Sequence, residues 1–274
     1  MRNSQRALGA QSHIEAITPD VVDWLNEAGR ALEVDDFARE FVLDDPEAHI
    51  AELARRLDGF TGSFGIHGPV PTPSFVVGDP AIQAIVLKRF EQALGICERI
   101  GASHMVVHSP FLFLGRPYMT YDNKDALPLA IQRAADLIAP VAARAQETGV
   151  VLCLENIFDP TPDPMIDLVD LVDSPALRLS LDTGHAAVAS TMAPDFWVRT
   201  MGDRLAHLHV SDSDGQADRH WVPGQGQLGW ASIFRELNAL PQDMRLIMEF
   251  RVEDRAAAVY KRASDWMAAN DWAH

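Results

Sequence analysis

The chain has 274 residues, 47% of them hydrophobic and 23% charged. Those proportions exclude disordered, collagen-like and coiled-coil proteins and fit a folded chain with a substantial core. Twenty-three basic against 39 acidic side chains leave a formal charge of −16 with histidine neutral, a surface that repels a phosphate backbone, so nucleic acid is not an expected partner.

Short apolar runs alternate with helical patterns along the chain. Strands are expected near residues 8–13, 31–34, 64–67, 104–108, 150–155, 178–182, 205–210 and 245–250. Helices are expected between and after them, near 19–30, 46–58, 80–100, 124–147, 165–173, 194–201, 230–239 and 253–270. Asp45-Pro46 and Asp79-Pro80 each read as a capping aspartate before a proline in the first helical position. Pro140 falls inside the fourth long helix and should kink it. Eight strand–helix units with no linker or composition shift predict an α/β fold, a (β/α)8 TIM barrel forming a single domain over 1–274. The string Gly224-Gln225-Gly226-Gln227-Leu228-Gly229 matches a dinucleotide fingerprint in letters only, because it begins about a dozen residues after a strand end.

Two cysteines cannot build a disulfide framework. Cys97 extends a helical stripe with Leu87, Phe90 and Leu94, and Cys153 lies in a strand, so both read as buried thiols of a reducing compartment, here the cytoplasm. The first residues, MRNSQRALGA, lack the pattern of a secretory signal, and no membrane-spanning run is expected.

In such a barrel the C-terminal ends of the strands converge on one mouth. The strand ends here are polar: His67 in GIHGP, His108 in VVHSP, Glu155 in LCLEN, Asp182 in LSLDTGH, His209 in HLHVSD and Glu249 in LIMEF. Period-two alternation puts Glu155 on the same face as Val151 and Cys153. Three carboxylates buried together need a positive charge among them. A divalent cation supplies it, and Glu155, Asp182, His209 and Glu249 form a mixed oxygen–nitrogen set suited to Mn2+, Mg2+, Co2+ or Zn2+.

With those motifs, and with DRHWVPGQGQLGW, the chain resembles the xylose isomerase-like barrel superfamily, which includes sugar isomerases and epimerases together with endonuclease IV. The resemblance implies one divalent metal ion, Mn2+ first, on Glu155, Asp182, His209 and Glu249. It implies a divalent-metal-dependent isomerase or epimerase acting on a ketose, keto-sugar or cyclitol through a metal-stabilised enediolate, with dehydratase or keto-glycoside lyase chemistry as a near variant. Glu155 and Glu249 would be the base and acid on opposite faces of a sugar-like small molecule, and His67, His108, His185, Arg219 and His220 would contact it. A homo-oligomer is compatible with this reading.

Endonuclease IV, a trinuclear zinc phosphodiesterase on abasic DNA, is the alternative. Its nine ligands have counterparts in His67, His108, Glu155, Asp182, His185, His209, Asp218, His220 and Glu249. Against it stand Val-Ser-Asp after His209, glycine within LDTGH, the continuation GIHGPV and the negative charge.

Other residues carry weaker signals. Phe111, Phe113, Tyr118, Phe158 and Trp221 fall in loops at the mouth, where they either cap the core or wall the substrate, and 110–123 is the candidate lid. Arg116 and Arg251 offer either anion contacts or surface pairs. His207 is expected behind the ligands, His104 at the bottom of its strand, and His13 at the end of the first. Trp266 and Trp272 are either packing residues or part of a dimer surface.

Overall fold

Apolar residues recur at every second position of short runs, which presses one face of each strand against helices and turns the other inward. The computed structural model describes residues 7–70, 75–111 and 126–273. β1 (Leu8–Ser12), β2 (Leu32–Val34), β3 (Phe64–His67), β4 (His104–His108), β5 (Val151–Glu155), β6 (Leu177–Asp182), β7 (Leu205–Val210) and β8 (Arg245–Met248) pair in chain order. Neighbouring strands are parallel, and β8 returns to β1 to close the barrel.

Around it run α1 (Pro19–Glu27), α2 (Glu40–Asp44), α3 (Glu47–Arg56), α4 (Pro80–Ile100), α5 (Ala126–Thr148), α6 (Asp163–Val172), α7 (Thr183–Ala189), α8 (Pro194–Met201), α9 (Trp230–Ala239) and α10 (Ala257–Ala269). The expected (β/α)8 architecture is therefore present, with two short helices, α2 and α7, that the periodicity does not announce. Asp79 caps α4 as expected, its side chain accepting from the Ala81 N–H at 2.8 Å. Asp45 does not cap α3. It already terminates α2, its N–H donating to the Phe41 carbonyl, and Pro46 takes the cap position instead.

Helix α5 continues through Pro140. By length and composition it is apolar enough to cross a membrane, yet it lies in the barrel's helical layer with Ile131, Leu137, Ile138 and Val141 buried. Trp266 and Trp272 pack edge to face at 5.2 Å, and Trp272 stacks on Phe234. Both cysteines are buried and free, and burial pushes each thiol up to about 12.

The two faces of the strands differ in chemistry. Outward residues such as Leu32, Val34, Met105, Val107, Leu152, Leu154, Leu246 and Met248 join the helices in one continuous apolar cluster. The inward set is largely polar: Gln11, Glu33, His67, His104, Glu155, Ser180, Asp182, His207 and His209 are all buried. Barrel interiors are commonly filled with branched aliphatics, so this one carries an uncommon electrostatic load. Gly65 makes room for part of it, since a Cβ there would lie 2.4 Å from the His104 ring.

Candidate metal centre and cavity

Strands β5 to β8 each deliver one side chain to the same point. Glu155 and Asp182 end β5 and β6, His209 is the penultimate residue of β7, and Glu249 follows β8 directly. Register accounts for the convergence, with His108 beside Glu155 and Asp182 beside His209. Ligand atoms from Glu155, Asp182, His209 and Glu249 lie within 4.8 Å of one another, and all four residues are buried.

Each carboxylate is anchored through one oxygen. Asp182 Oδ1 accepts the His185 N–H at 2.6 Å, and Glu249 Oε1 accepts from Gln11 Nε2 at 2.9 Å. Glu155 Oε1 contacts His209 Nδ1, which also faces Glu249 Oε2 at 3.1 Å. The second oxygens, Glu155 Oε2, Asp182 Oδ2 and Glu249 Oε2, are buried without a hydrogen bond among the described residues. Unsatisfied buried carboxylate oxygens are costly. Glu155 Oε1 and Glu249 Oε2 at the His209 nitrogen, with the Asp182 carboxylate in the same cluster, fit a divalent cation, so the four residues form a candidate metal centre.

Electrostatics agrees. Burial disfavours a charged His209, but Glu249, Glu155 and Glu33 outweigh it and hold its pKa well above the usual value. Burial likewise opposes ionisation of Glu155 and Glu249, yet His209 keeps Glu155 down at about 2 and Glu249 well below its ordinary range. Asp182 is pushed up to about 6, first by burial and then by the other two carboxylates.

Three further groups adjoin this one, the first being Glu33, His207 and His209. His67 and His108 meet through their Nε2 atoms at 3.2 Å, and His108 Nε2 lies 3.4 Å from Glu155 Oε2. On the other side, Asp218 Oδ2 lies 3.4 Å from His185 Nε2 and 3.0 Å from His220 Nε2. Each is a candidate cation cluster in its own right. A cavity of about 460 Å³ opens above them, lined among others by Gln11, Arg39, His67, His108, Glu155, His185, Asp218, His220, Glu249 and Arg255.

Arg219 is not among the lining residues. Asp214 holds its guanidinium at 3.0 Å, and the group lies over the Trp221 ring. The Arg251 guanidinium also lies over the Trp221 ring, its Nε donating to the Arg219 carbonyl. Phe111 is buried, Phe158 is half exposed, and Trp221 pairs with Asp212 in an isolated bridge; none of the three lines the cavity. His13 stands one residue beyond β1 and also lies outside the lining. Phe113, Arg116, Tyr118 and nearly all of the expected lid at 110–123 lie outside the described residues.

Other residues at the site escaped the sequence reading. Glu33 is fully buried inside the barrel against His209, and Gln11 lines the cavity beside Glu249. Asn156 holds the Asp182 N–H through its Oδ1 at 2.8 Å. Asp212 organises the glycine-rich stretch, accepting from Gly224 N, Leu228 N and Trp230 Nε1. That accounts for the middle glycine of G-x-G-x-x-G: a Cβ on Gly226 would lie 2.3 Å from Asp212 Oδ1.

The chain is thus a closed parallel barrel with acidic and histidine side chains gathered at its strand ends as candidate metal ligands. Residues 22–270 match the xylose isomerase-like TIM barrel family, and the chain belongs to it. A D-psicose 3-epimerase of Enterocloster bolteae is 32% identical over 123 residues, 43% of this chain and 39% of that protein. A fructoselysine 3-epimerase of Escherichia coli O157:H7 is 23% identical over 173 residues, 60% of this chain and 58% of that protein. The chain thus spans between two fifths and three fifths of the length of these relatives. Among solved structures, a Thermus thermophilus protein soaked with ZnCl2 superposes with a TM-score of 0.74 at 25% identity, covering 96% of this chain and 98% of that one. A D-tagatose 3-epimerase-like protein gives 0.73 at 16% identity over 96% and 98%, a likeness of fold.

Proposed function

We propose that the chain is a divalent-metal-dependent epimerase or isomerase of a ketose or keto-sugar. The observation that carries this reading is the placement of Glu155 and Glu249 around one His209 nitrogen, each with a buried oxygen lacking a hydrogen bond. The epimerase names of the relatives support the same reaction class. Glu155, Asp182, His209 and Glu249 would hold a divalent cation, and the chemistry it would supply is polarisation of a substrate carbonyl, which would lower the cost of removing a proton from the adjacent carbon. Glu155 would take that proton from one face and Glu249, having first picked up a proton from solvent, would return one to the other, which inverts the carbon and leaves solvent to exchange the proton on Glu155. Low carboxylate pKa values make both weak bases, so the reaction depends on substrate activation more than on base strength. His67, His108, His185 and His220 orient hydroxyl groups around the cavity. Arg219 is a candidate for the same role only if it leaves Asp214.

The test is solvent deuterium incorporation into a panel of ketoses and keto-sugars, with Mn2+ supplied first and Mg2+, Co2+ and Zn2+ compared. Wild type should exchange one carbon-bound proton, and Glu155→Gln and Glu249→Gln should each abolish the exchange. Persistence of exchange in both variants overturns the assignment.

One observation favours a second reading. The nine residues that would hold three zinc ions in an endonuclease IV-like phosphodiesterase fall into three adjoining groups, two of them sharing Glu155. Three zincs per chain together with cleavage of an abasic duplex would support it. The formal charge of −16 argues for a small substrate instead.

A further inference from the structure

Against His209, one of the four candidate ligands, lies Glu33, the middle residue of β2, with a fully buried side chain. Its two oxygens are divided between two sets of neighbours. Oε1 lies 3.0 Å from His209 Nε2 and accepts from Gln11 Nε2 at 3.0 Å. Oε2 faces His207 Nε2 at 3.3 Å and His104 Nε2 at 3.6 Å. Ser180 Oγ sits 2.8 Å from His207 Nδ1. With the hydroxyl donating there, the His207 proton resides on Nε2, close to Glu33 Oε2 but not in hydrogen-bond alignment with it. An anion without such donors would be prohibitively costly at this depth.

We infer that Glu33 is a positioning residue of the metal centre: it accepts the His209 Nε2–H and so presents Nδ1, the nitrogen between Glu155 and Glu249, to the cation. The inference rests on the metal reading above. An imidazole offers either nitrogen, and the hydrogen bond made by one decides which is left as ligand. Gln11 extends the same layer. Its Nε2 reaches both Glu33 and Glu249, while its Oε1 is held by Arg255 Nη2 at 2.9 Å. Two ligands on adjacent strands are thereby aimed by one buried hydrogen-bond layer.

The experiment uses the full chain, stripped of metal and titrated with Co2+. Affinity is read by competition with a chelator and ligand geometry by the cobalt absorption spectrum. A third readout is the exchangeable ring N–H of the cobalt-bound histidine by NMR. Wild type should show one protected histidine Nε2–H. Glu33→Leu should lose that protection, weaken Co2+ binding about 10- to 100-fold and alter the spectrum. Glu33→Gln, whose amide oxygen still accepts the same N–H, should restore most of the spectrum. If the leucine variant does not fold, Glu33→Asp, which withdraws the carboxylate by one methylene, should show the affinity loss in its place. Wild-type affinity and spectrum in folded Glu33 variants, with Asp182→Asn abolishing binding, overturns the role of Glu33 alone. Absence of Co2+ binding in wild type overturns the metal reading and this inference with it.

Discussion

Asp182 Oδ1 accepts the backbone N–H of His185 at 2.6 Å, so the last residue of β6 is also the cap of α7. The same carboxylate offers Oδ2 to the candidate metal centre. Asp182→Asn and Asp182→Ala therefore separate two roles. The asparagine keeps a capping oxygen and removes a buried charge, so cation binding should be lost while the metal-free protein melts at or above the wild-type temperature. The alanine loses the cap too and should cost about 0.5–2 kcal/mol. Thermal melts of the stripped proteins beside metal titrations provide the check.

Cation binding should release protons. In the metal-free protein His209 is held well above its usual pKa by the surrounding carboxylates, against the effect of burial, and a metal ligand must be deprotonated. Titration calorimetry of Mn2+ or Zn2+ in two buffers of different ionisation enthalpy should show roughly one proton leaving per cation at pH 7. Affinity should rise with pH until His209 deprotonates unaided. A buffer-independent heat would contradict the arrangement. At a free cation concentration 100 times Kd the fold should gain about 2.7 kcal/mol, a gain that a chelator removes.

Asp159 gives a pH dependence of its own. It is fully buried, and burial pushes its carboxyl up to about 7, against bonds from Ser109 Oγ at 2.7 Å and the Ile157 N–H at 3.0 Å. Between the ordinary value of 3.8 and that value the folded state binds more protons than the unfolded one. Its contribution to stability therefore falls as pH rises from about 4 to about 7, by at most about 1.4 kcal/mol per pH unit, and is constant above that. Asp159→Asn, which can bond to both neighbours without ionising, should flatten that part of the stability profile in denaturant melts at stepped pH.

Gly226 has no room for a side chain, with Asp212 Oδ1 at 2.3 Å and the Ser213 carbonyl at 2.4 Å from a built Cβ. Gly226→Ala should destabilise the fold by about 1–3 kcal/mol through displacement of this loop. Asp212→Ala should have a comparable effect, because four donors, the N–H groups of Ser213, Gly224 and Leu228 and Trp230 Nε1, lose their acceptor. A denaturation midpoint unchanged in both variants would show that the loop is not held as described.

The barrel was legible because its signal repeats. The alternation recurs along the chain, and Leu152, Leu154, Met105 and Val107 face the helices as period two requires. The polar cluster at the strand ends was legible for the same reason, since a polar residue closing an apolar run stands out. Glu33 was not recognised although LEV places it inward by the same rule, because a three-residue strand has too little alternation to mark one charge as buried. Helix α2, five residues long, has no periodicity to announce it, and so Asp45 read as the start of α3 when it closes α2. The capture of Arg219 by Asp214, five residues back, is a loop contact that no spacing rule encodes.

Glu155 places its two oxygens in different neighbourhoods, Oε1 toward His209 and Oε2 toward His108 and His67. One carboxylate is thus common property of two clusters, and its single negative charge is divided between them. A cation bound on the His209 side draws electron density from the oxygen that a second cation would use, so loading should be sequential, with the second affinity weaker than the first. Loss of His67 or His220 removes one neighbour and leaves the four-residue centre whole. Loss of Glu155 dismantles two clusters at once, which makes it the residue where this mouth tolerates no drift.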